Sequence, residues 1–290
     1  MPARNKILIT GGKGMFATDM AREATLRGLE VTAASHKDLD ITDSKQVGRA
    51  FDNLRPNYVI HTVGLLTDTC ELQPEEGYKV HTWATGCIAR HCQRVGATLV
   101  HLSTCGVFGD QRKLYSEYDP VTLKTEYARS KYLAELAANS HCERTYNIRP
   151  GWLFGGAPSH RKNFVFQRFL EAKAKPVVKS ASDKFGSPTY TVDLAHKILE
   201  LLDTGEYGLY HVSNAGGGSR YDYLKCIVKA FGLDTEVEPV DSSFFPRPAS
   251  TPDSEMLDNR NIKFLGLDTL GGWEEALEGY VSGLRLELGL

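Results

Sequence analysis

An α/β fold built on a doubly wound parallel sheet follows from three features of this 290-residue chain. Apolar strand segments alternate with helical ones through the first half, which calls for parallel strands joined by helical crossovers. A glycine-rich turn closes the first strand. A Tyr-x-x-x-Lys run then opens a later helix, behind a strand that ends in Ser103-Thr104.

The elements read in order as follows. Residues 6–10 form a short apolar strand, and a helix over about 14–27 follows its glycine turn. Residues 29–34 make the second strand. Asp43 is the N-cap of a helix to about residue 54, because a short side-chain acceptor there satisfies the free N–H groups of a first turn. Residues 58–62 are the third strand, and one helix spans about 74–95 before the fourth strand at 97–102. The Tyr-Lys helix covers about 124–140, and 145–149 is the fifth strand before Pro150-Gly151 breaks the pattern. Beyond it, Gly, Ser and Pro concentrate at 155–159, 214–219 and 245–252, as in a smaller, irregular domain. The expected division is a dinucleotide-binding domain over 1–150 and a mainly substrate-binding domain over 151–290, with a segment near 186–200 returning to the first. No internal repeat is visible.

Hydrophobic residues at 41% and charged residues at 24% are ordinary for a globular enzyme, and a net charge of -2 provides no field to gather nucleic acid. No apolar run reaches the roughly 20 residues of a membrane helix. The start, Met1-Pro2-Ala3-Arg4-Asn5-Lys6, runs straight into a strand without a signal-peptide core. The six cysteines, Cys70, Cys87, Cys92, Cys105, Cys142 and Cys226, lack short paired spacings. The expectation is a cytoplasmic protein with reduced thiols. Cys87, His91 and Cys92 share a helix, but a buried Cys beside a solvated His needs no metal, and none is expected.

The turn Gly11-Gly12-Lys13-Gly14-Met15-Phe16-Ala17 lies between a strand and a helix, the context in which glycines let backbone approach a pyrophosphate at a positive helix end. The spacing is looser than the Gly-x-Gly-x-x-Gly fingerprint of Rossmann-type domains. Gly11, Lys13, Gly14, Met15 and Phe16 are the candidate contacts. At the end of the second strand stand Ser35, His36 and Lys37, where an enzyme binding a 2′-hydroxyl would place an acid. A carboxylate there would repel a 2′-phosphate, so the expected cofactor is NADP(H) in preference to NAD. Asp40 and Ile41 are candidates to cover the adenine edge, and Val63, Gly64 and Leu65 to let the cofactor pass close to backbone.

Tyr127 and Lys131 are four apart and share a helix face, so the ammonium is expected near the phenol, where a cation favours phenolate. A free tyrosine titrates near ~10 and is a poor proton-transfer group without such help. Thr104 would hold a carbonyl oxygen while Tyr127 protonates it.

These residues, with Leu39-Asp40-Ile41-Thr42-Asp43, Val107-Phe108, Arg149, Trp152, Gly155, Asn163-Phe164-Val165, Phe185-Gly186-Ser187-Pro188-Thr189-Tyr190-Thr191, Asp193-Leu194-Ala195, His211-Val212-Ser213-Asn214 and Leu257-Asp258, resemble the extended short-chain dehydrogenase/reductases, and within them the dTDP-4-dehydrorhamnose reductase family. The resemblance runs over almost the whole chain. It implies NAD(P)H-dependent reduction of the C4 keto group of a nucleotide-linked 6-deoxyhexose, catalysed by Thr104, Tyr127 and Lys131, with Lys131 also binding the nicotinamide ribose. It implies substrate contacts at Thr104, Cys105, Gly106, Trp152, Asn163 and Arg247, and a homodimer.

Several positions depart from the family's pattern. Cys105-Gly106 stands where Asp-Tyr is usual, Thr251 where Arg is usual, and Glu255 where Ser is usual. Asp19 takes the place of an acid implicated in metal-assisted dimer contacts in some relatives, and is expected only to complement its helix dipole. Three other functions compete. A nucleotide-sugar epimerase shares the fold but would recycle bound NAD, against the missing acid after the second strand; a dehydratase needs an acid pair that Cys105-Gly106 lacks. A non-catalytic NADP-binding regulatory subunit would tolerate the altered loops but has no use for a tuned phenol.

Overall fold

In the computed structural model, which describes residues 5–290, β1 (Lys6–Thr10) feeds α1 (Met15–Leu26), and β2 (Glu30–Ala34) and α2 (Ser44–Leu54) lead to β3 (Tyr58–His61). The expectation about the stretch before the first strand therefore concerns residues 1–4, which lie outside the described residues. Asp43 caps α2 as expected, accepting from the N–H groups of Lys45 at 2.9 Å and Gln46 at 3.0 Å. α3 (Thr67–Leu72), α4 (Pro74–Tyr78) and α5 (Ala84–Val95) precede β4 (Thr98–Leu102), α6 (Glu126–His141) and β5 (Thr145–Pro150). The single helix expected over 74–95 is divided by a π-helical turn at Lys79–Trp83, which points His81 inward. π-turns of this kind gather at functional sites.

The second half contains β6 (Trp152–Phe154), α7 (Phe164–Ala174), β7 (Val177–Ala181), β8 (Phe185–Gly186), β9 (Pro188–Tyr190), α8 (Thr191–Thr204) and β10 (Gly208–Val212). It ends with β11 (Gly218–Ser219), α9 (Arg220–Phe231), β12 (Glu236–Val240), β13 (Ser254–Glu255), α10 (Arg260–Phe264) and α11 (Trp273–Leu288).

The main sheet runs β2-β1-β3-β4-β5-β10, with every pairing parallel. Chain order reverses between β1 and β3, so a crevice opens there at the carboxyl ends of the strands, where open α/β sheets bind their ligands. Successive residues of β1 point to opposite faces: Ile7 and Ile9 join Phe16, Met20 and Ile198 beneath α1 and α8, and Leu8 joins Val47, Phe51 and Val59 beneath α2 and α5. Both faces are covered, which is why the strand is continuously apolar. Full burial of each such side chain contributes about 1.5–3 kcal/mol.

The return to the first domain is longer than expected. Besides α8 against α1, the chain supplies β10 as the sixth strand, pairing Gly208 with Tyr146 and Val212 with Pro150. A separate core, built on Trp152, Phe154, Phe169, Tyr223 and Trp273, holds the smaller part. No helix is long and apolar enough to cross a membrane among the described residues.

Candidate active site

The crevice outside β1, β3, β4 and β5 opens into a cavity of about 860 Å³. At its first edge the chain leaves β1 through Gly11, whose φ of +76° lies where L side chains are strained. A Cβ on Gly11 would stand 2.9 Å from Thr62 Oγ1, and one on Gly12 2.6 Å from the Ala33 carbonyl carbon. α1 begins at Gly14 with no side chain capping its first turn, so its N–H groups and positive dipole end are left for an anion. Backbone that close, with donors that free, fits the pyrophosphate of a nicotinamide dinucleotide. Lys13 is exposed beside this turn. Met15 packs against Gly156, where a Cβ would come within 2.6 Å of its Cγ. Phe16 is different from the expectation, since its ring lies in the core beneath the sheet and only its backbone belongs to the turn.

The end of β2 also corrects the sequence reading. Ser35 does not present its hydroxyl to a ligand, because its N–H and Oγ donate to Asp38 at 2.9 and 2.6 Å. These bonds, and the charge of Lys13, hold the Asp38 carboxyl below its ordinary value. His36 and Lys37 are exposed next to it. Lys13 and Lys37 thus bring ammonium groups to this corner, with the His36 imidazole between the turn and Lys37 in sequence. Asp40 accepts from Thr42 N–H and Oγ1 within its own turn, and Ile41 is buried in the core, so its side chain is not available to an adenine. Val63 and Gly64 line the cavity, whereas Leu65 is held from behind by its N–H to His81 Nε2 at 2.8 Å.

Thr104, Tyr127 and Lys131 all line the cavity. A Cβ built on Gly106 would lie 3.3 Å from Thr104 Oγ1 and 3.9 Å from Tyr127 Cε1, which places both around one point. Thr125 starts α6 by accepting from Ala128 N–H at 3.1 Å, so Tyr127 and Lys131 project from its first turns. Burial drives the Tyr127 phenol well above its ordinary value; the Thr104 hydroxyl opposes this, and Glu255 reinforces it. The expected phenolate is therefore not what the fold favours: loss of water costs the anion more than nearby groups return, and the phenol stays protonated.

Lys131 does not rest on the phenol. Its Nζ donates to the Leu102 carbonyl at 2.5 Å and meets His101 Nε2 at 3.3 Å. Asn147 fixes the tautomer of that imidazole. Its amide nitrogen donates to Asn139 at 2.8 Å, so its oxygen faces His101 Nδ1 at 2.9 Å and must accept, leaving Nε2 as a lone pair for the ammonium. Burial, opposed in part by Glu135, lowers Lys131 to about 8. Burial together with Lys131 pushes His61 to about 3 and His81 to about 2, and His101 well below the ordinary range, so all three imidazoles are neutral.

Of the expected substrate contacts, Cys105, Trp152 and Arg247 line the cavity. Asn163 does not. It caps α7 through Phe166 N–H at 3.1 Å and donates to Tyr280 Oη at 2.7 Å, so both ends of its amide serve the smaller domain's framework. Arg247 reaches the mouth of the cavity with its Nε on Asp68 at 3.0 Å, joining the 245–252 loop to α3. Asp19 is also more than a dipole partner: it is buried, accepts from Gly156 N–H at 3.1 Å and pairs with Thr191, so it stitches the two halves together.

Several site residues carried no sequence signal. His81 anchors the 63–65 loop and packs edge-on to the Tyr127 ring at 5.5 Å. Arg220 lies over Trp152, its guanidinium carbon 3.4 Å from the ring centroid, and the guanidinium makes no hydrogen bond to the described residues. Lys184, bonded to the Thr251 carbonyl at 3.0 Å and to Asp253 at 2.6 Å, supplies a cation next to the position that lacks the family's arginine. Glu135 was recoverable in principle, as a carboxylate on the buried face of the Tyr-Lys helix. It binds Arg149 through two bonds of 2.8 and 2.7 Å and also accepts from Ser103, locking α6 to β4 and β5. Among the described residues no group of three metal-ligating side chains forms. Cys87 and Cys92 are buried in the core, and His91 packs on Phe51.

Compared with known proteins, the chain matches the family described as RmlD substrate binding domain over residues 5–286. It is 32% identical over 278 residues to the spore coat polysaccharide biosynthesis protein SpsK of Bacillus subtilis (strain 168), with 95% of this chain and 96% of that protein covered. It is 33% identical over 284 residues to a dTDP-4-dehydrorhamnose reductase of Mycolicibacterium smegmatis, with 96% and 86% covered. Its fold superposes on the dTDP-4-dehydrorhamnose reductase of Bacillus anthracis str. Ames in complex with NADP with a TM-score of 0.93, at 29% identity, covering 97% of this chain and 100% of that one.

Proposed function

The chain belongs to the RmlD substrate binding domain family, and on that premise we propose that it reduces the C4 keto group of a nucleotide-linked 4-keto-6-deoxyhexose with NADPH, a step of deoxysugar biosynthesis. NADPH supplies the hydride when bound. Gly11, Gly14 and the open first turn of α1 would hold its pyrophosphate, and Lys13, His36 and Lys37 its 2′-phosphate.

The observation that carries this reading is a buried phenol kept protonated next to a hydroxyl aimed at the same point. A carbonyl oxygen there accepts from Thr104 and Tyr127 together. As negative charge grows on that oxygen, both donors strengthen, and Tyr127 gives up its proton to form the alcohol. The phenolate left behind is costly in a buried site. The Lys131 ammonium lowers that cost, because two of its three N–H bonds are tied to Leu102 O and His101 Nε2 and its charge is fixed in place. Its remaining N–H is free for the nicotinamide ribose. Cys105, Gly106, Trp152 and Arg247 surround the sugar nucleotide.

The division supported by the topology is a dinucleotide-binding unit made of residues up to 150 plus the returning α8 and β10, and a substrate unit from the rest. A cytoplasmic setting is supported by six free thiols. A homodimer is retained from the family resemblance, and light scattering checks it.

The experiment is loss of NADPH absorbance with a panel of nucleotide-linked 4-keto sugars, for the wild type and Tyr127→Phe. The variant should lose more than about 100-fold in turnover while binding NADPH nearly unchanged. Wild-type turnover in Tyr127→Phe would remove the phenol from the chemistry.

A further inference from the structure

Two departures from the family pattern, Gly106 and Glu255, meet at one place. β13 sets Glu255 opposite Gly186 in a parallel pairing with β8, so its backbone is fixed beside the cavity. Its Oε2 accepts from Trp152 Nε1 at 2.6 Å, and that indole is itself held, with Arg220 over its ring and the Gly186 backbone packed against it. The other oxygen, Oε1, turns toward the reaction centre. A Cβ on Gly106 would lie only 3.1 Å from Oε1, closer than a carbon and a carboxylate oxygen ordinarily approach, and 3.3 Å from Thr104 Oγ1. A side chain at 106 would force Oε1 back by a few tenths of an ångström, so the bare glycine leaves the space in which Glu255 sits.

Oε1 makes no hydrogen bond to the described residues. Arg220 adds a charge next to the carboxylate without a hydrogen bond to it. A carboxylate oxygen in a half-buried cavity with no donor of its own is an acceptor prepared for the ligand. The Gly106 notch borders both Oε1 and Thr104 Oγ1, so Oε1 lies at the carbonyl end of a substrate whose oxygen is held by Thr104 and Tyr127.

We propose that Glu255 is a specificity-determining residue, whose carboxylate, seated in the Gly106 notch, accepts a hydrogen bond from a hydroxyl or ammonium group on the hexose carbon adjacent to the keto group. The proposal rests on the reductase function above and names which sugars it takes. Trp152 contributes by orienting the carboxylate through its N–H, and its ring faces are not open for stacking on sugar.

The test uses three nucleotide-linked 4-keto-6-deoxyhexoses that differ only at the carbon beside the carbonyl, which carries a hydroxyl, an amino group or hydrogen. kcat/KM from NADPH oxidation is measured for the wild type, Glu255→Ser, Glu255→Gln and Gly106→Ala, together with NADPH affinity. The wild type should prefer a donor-bearing sugar over the deoxy one by about 10- to 100-fold, the scale of a hydrogen bond to a charged group. Glu255→Ser should abolish that preference and Gly106→Ala weaken it, with NADPH affinity unchanged; in Glu255→Gln the single amide oxygen takes the Trp152 N–H and the NH2 takes the place of Oε1, so only a sugar hydroxyl, which can also accept, should keep part of the preference. An amino sugar favoured by the wild type but not by Glu255→Gln identifies the donor as an ammonium. A wild type indifferent to the donor, or a Glu255→Ser variant that keeps its preference, would overturn the assignment and leave the reductase function standing. Failure of the wild type to reduce any of the three sugars would overturn both.

Discussion

Replacing Lys131 with methionine should abolish turnover and yet stabilise the cofactor-free protein. Burial lowers the ammonium from an ordinary value of 10.5 to about 8, so below pH 8 the fold carries a buried charge that the unfolded chain keeps in water. A drop of that size corresponds to about 3 kcal/mol. Methionine fills a similar volume without the charge, but it leaves the Leu102 carbonyl and His101 Nε2 without their donor, a loss of about 1–2 kcal/mol. The net expectation at pH 7 is a gain of about 1–2 kcal/mol. With an unfolding entropy of about 2.1 cal/mol/K per residue, that raises Tm by about 2–3 °C.

The pH dependence makes the test specific. Between pH 8 and 10.5 the unfolded lysine holds a proton that the folded one has released, so unfolding takes up a proton and rising pH stabilises the wild type. The methionine variant lacks this response. Its advantage should be constant below pH 8, shrink by about 1.4 kcal/mol per pH unit above it, vanish near pH 9, and turn into a deficit of about 1–2 kcal/mol by pH 10.5. Other groups that titrate in this range are common to both proteins and cancel in the difference. Thermal unfolding of both proteins at pH 7, 8, 9 and 10 measures it. A variant no more stable than the wild type at pH 7, or an advantage that does not change with pH, would refute a lysine strained by burial.

Lys37→Ala should weaken NADPH binding while leaving NADH almost untouched, because it removes a cation that only the 2′-phosphate engages; equal wild-type affinities for the two cofactors, measured by titration, would exclude the phosphate corner. Glu135→Ala should destabilise the protein by about 3–5 kcal/mol in urea unfolding, because it leaves the buried Arg149 guanidinium without its bidentate partner. A cost below about 1 kcal/mol would mean that water or another group reaches Arg149.

Much of the fold could be read from local pattern. The alternation of strand and helix, the Asp43 cap and the strand that ends in Ser103-Thr104 are short-range properties of side-chain type and spacing, and they hold within a residue or two. The expected helix over 74–95 did not survive as one piece, because the π turn that buries His81 is driven by what it meets, Leu65 and Ser130, and by nothing within its own segment. The same limit applies to Asn163. A residue that matched a substrate-binding pattern spends both ends of its amide on a helix cap and on Tyr280, which lies far along the chain.

What the chain's own order of residues decided is the chemistry on offer: a glycine turn for a pyrophosphate, a Thr, a Tyr and a Lys for carbonyl reduction, and no acid at the end of strand two itself. What only the tertiary structure decided is the state of those groups. Proximity in sequence suggested that Lys131 would ionise Tyr127, but ionisation depends on water, and burial removes it from both residues. Ser35 lost its place at the phosphate to a carboxylate three residues away, through a turn that no periodicity reports. Glu255 and Gly106 are separated by most of the second half of the chain. That they share one notch is set by the pairing of β13 with β8, and pairing between distant strands is a property of the packed whole.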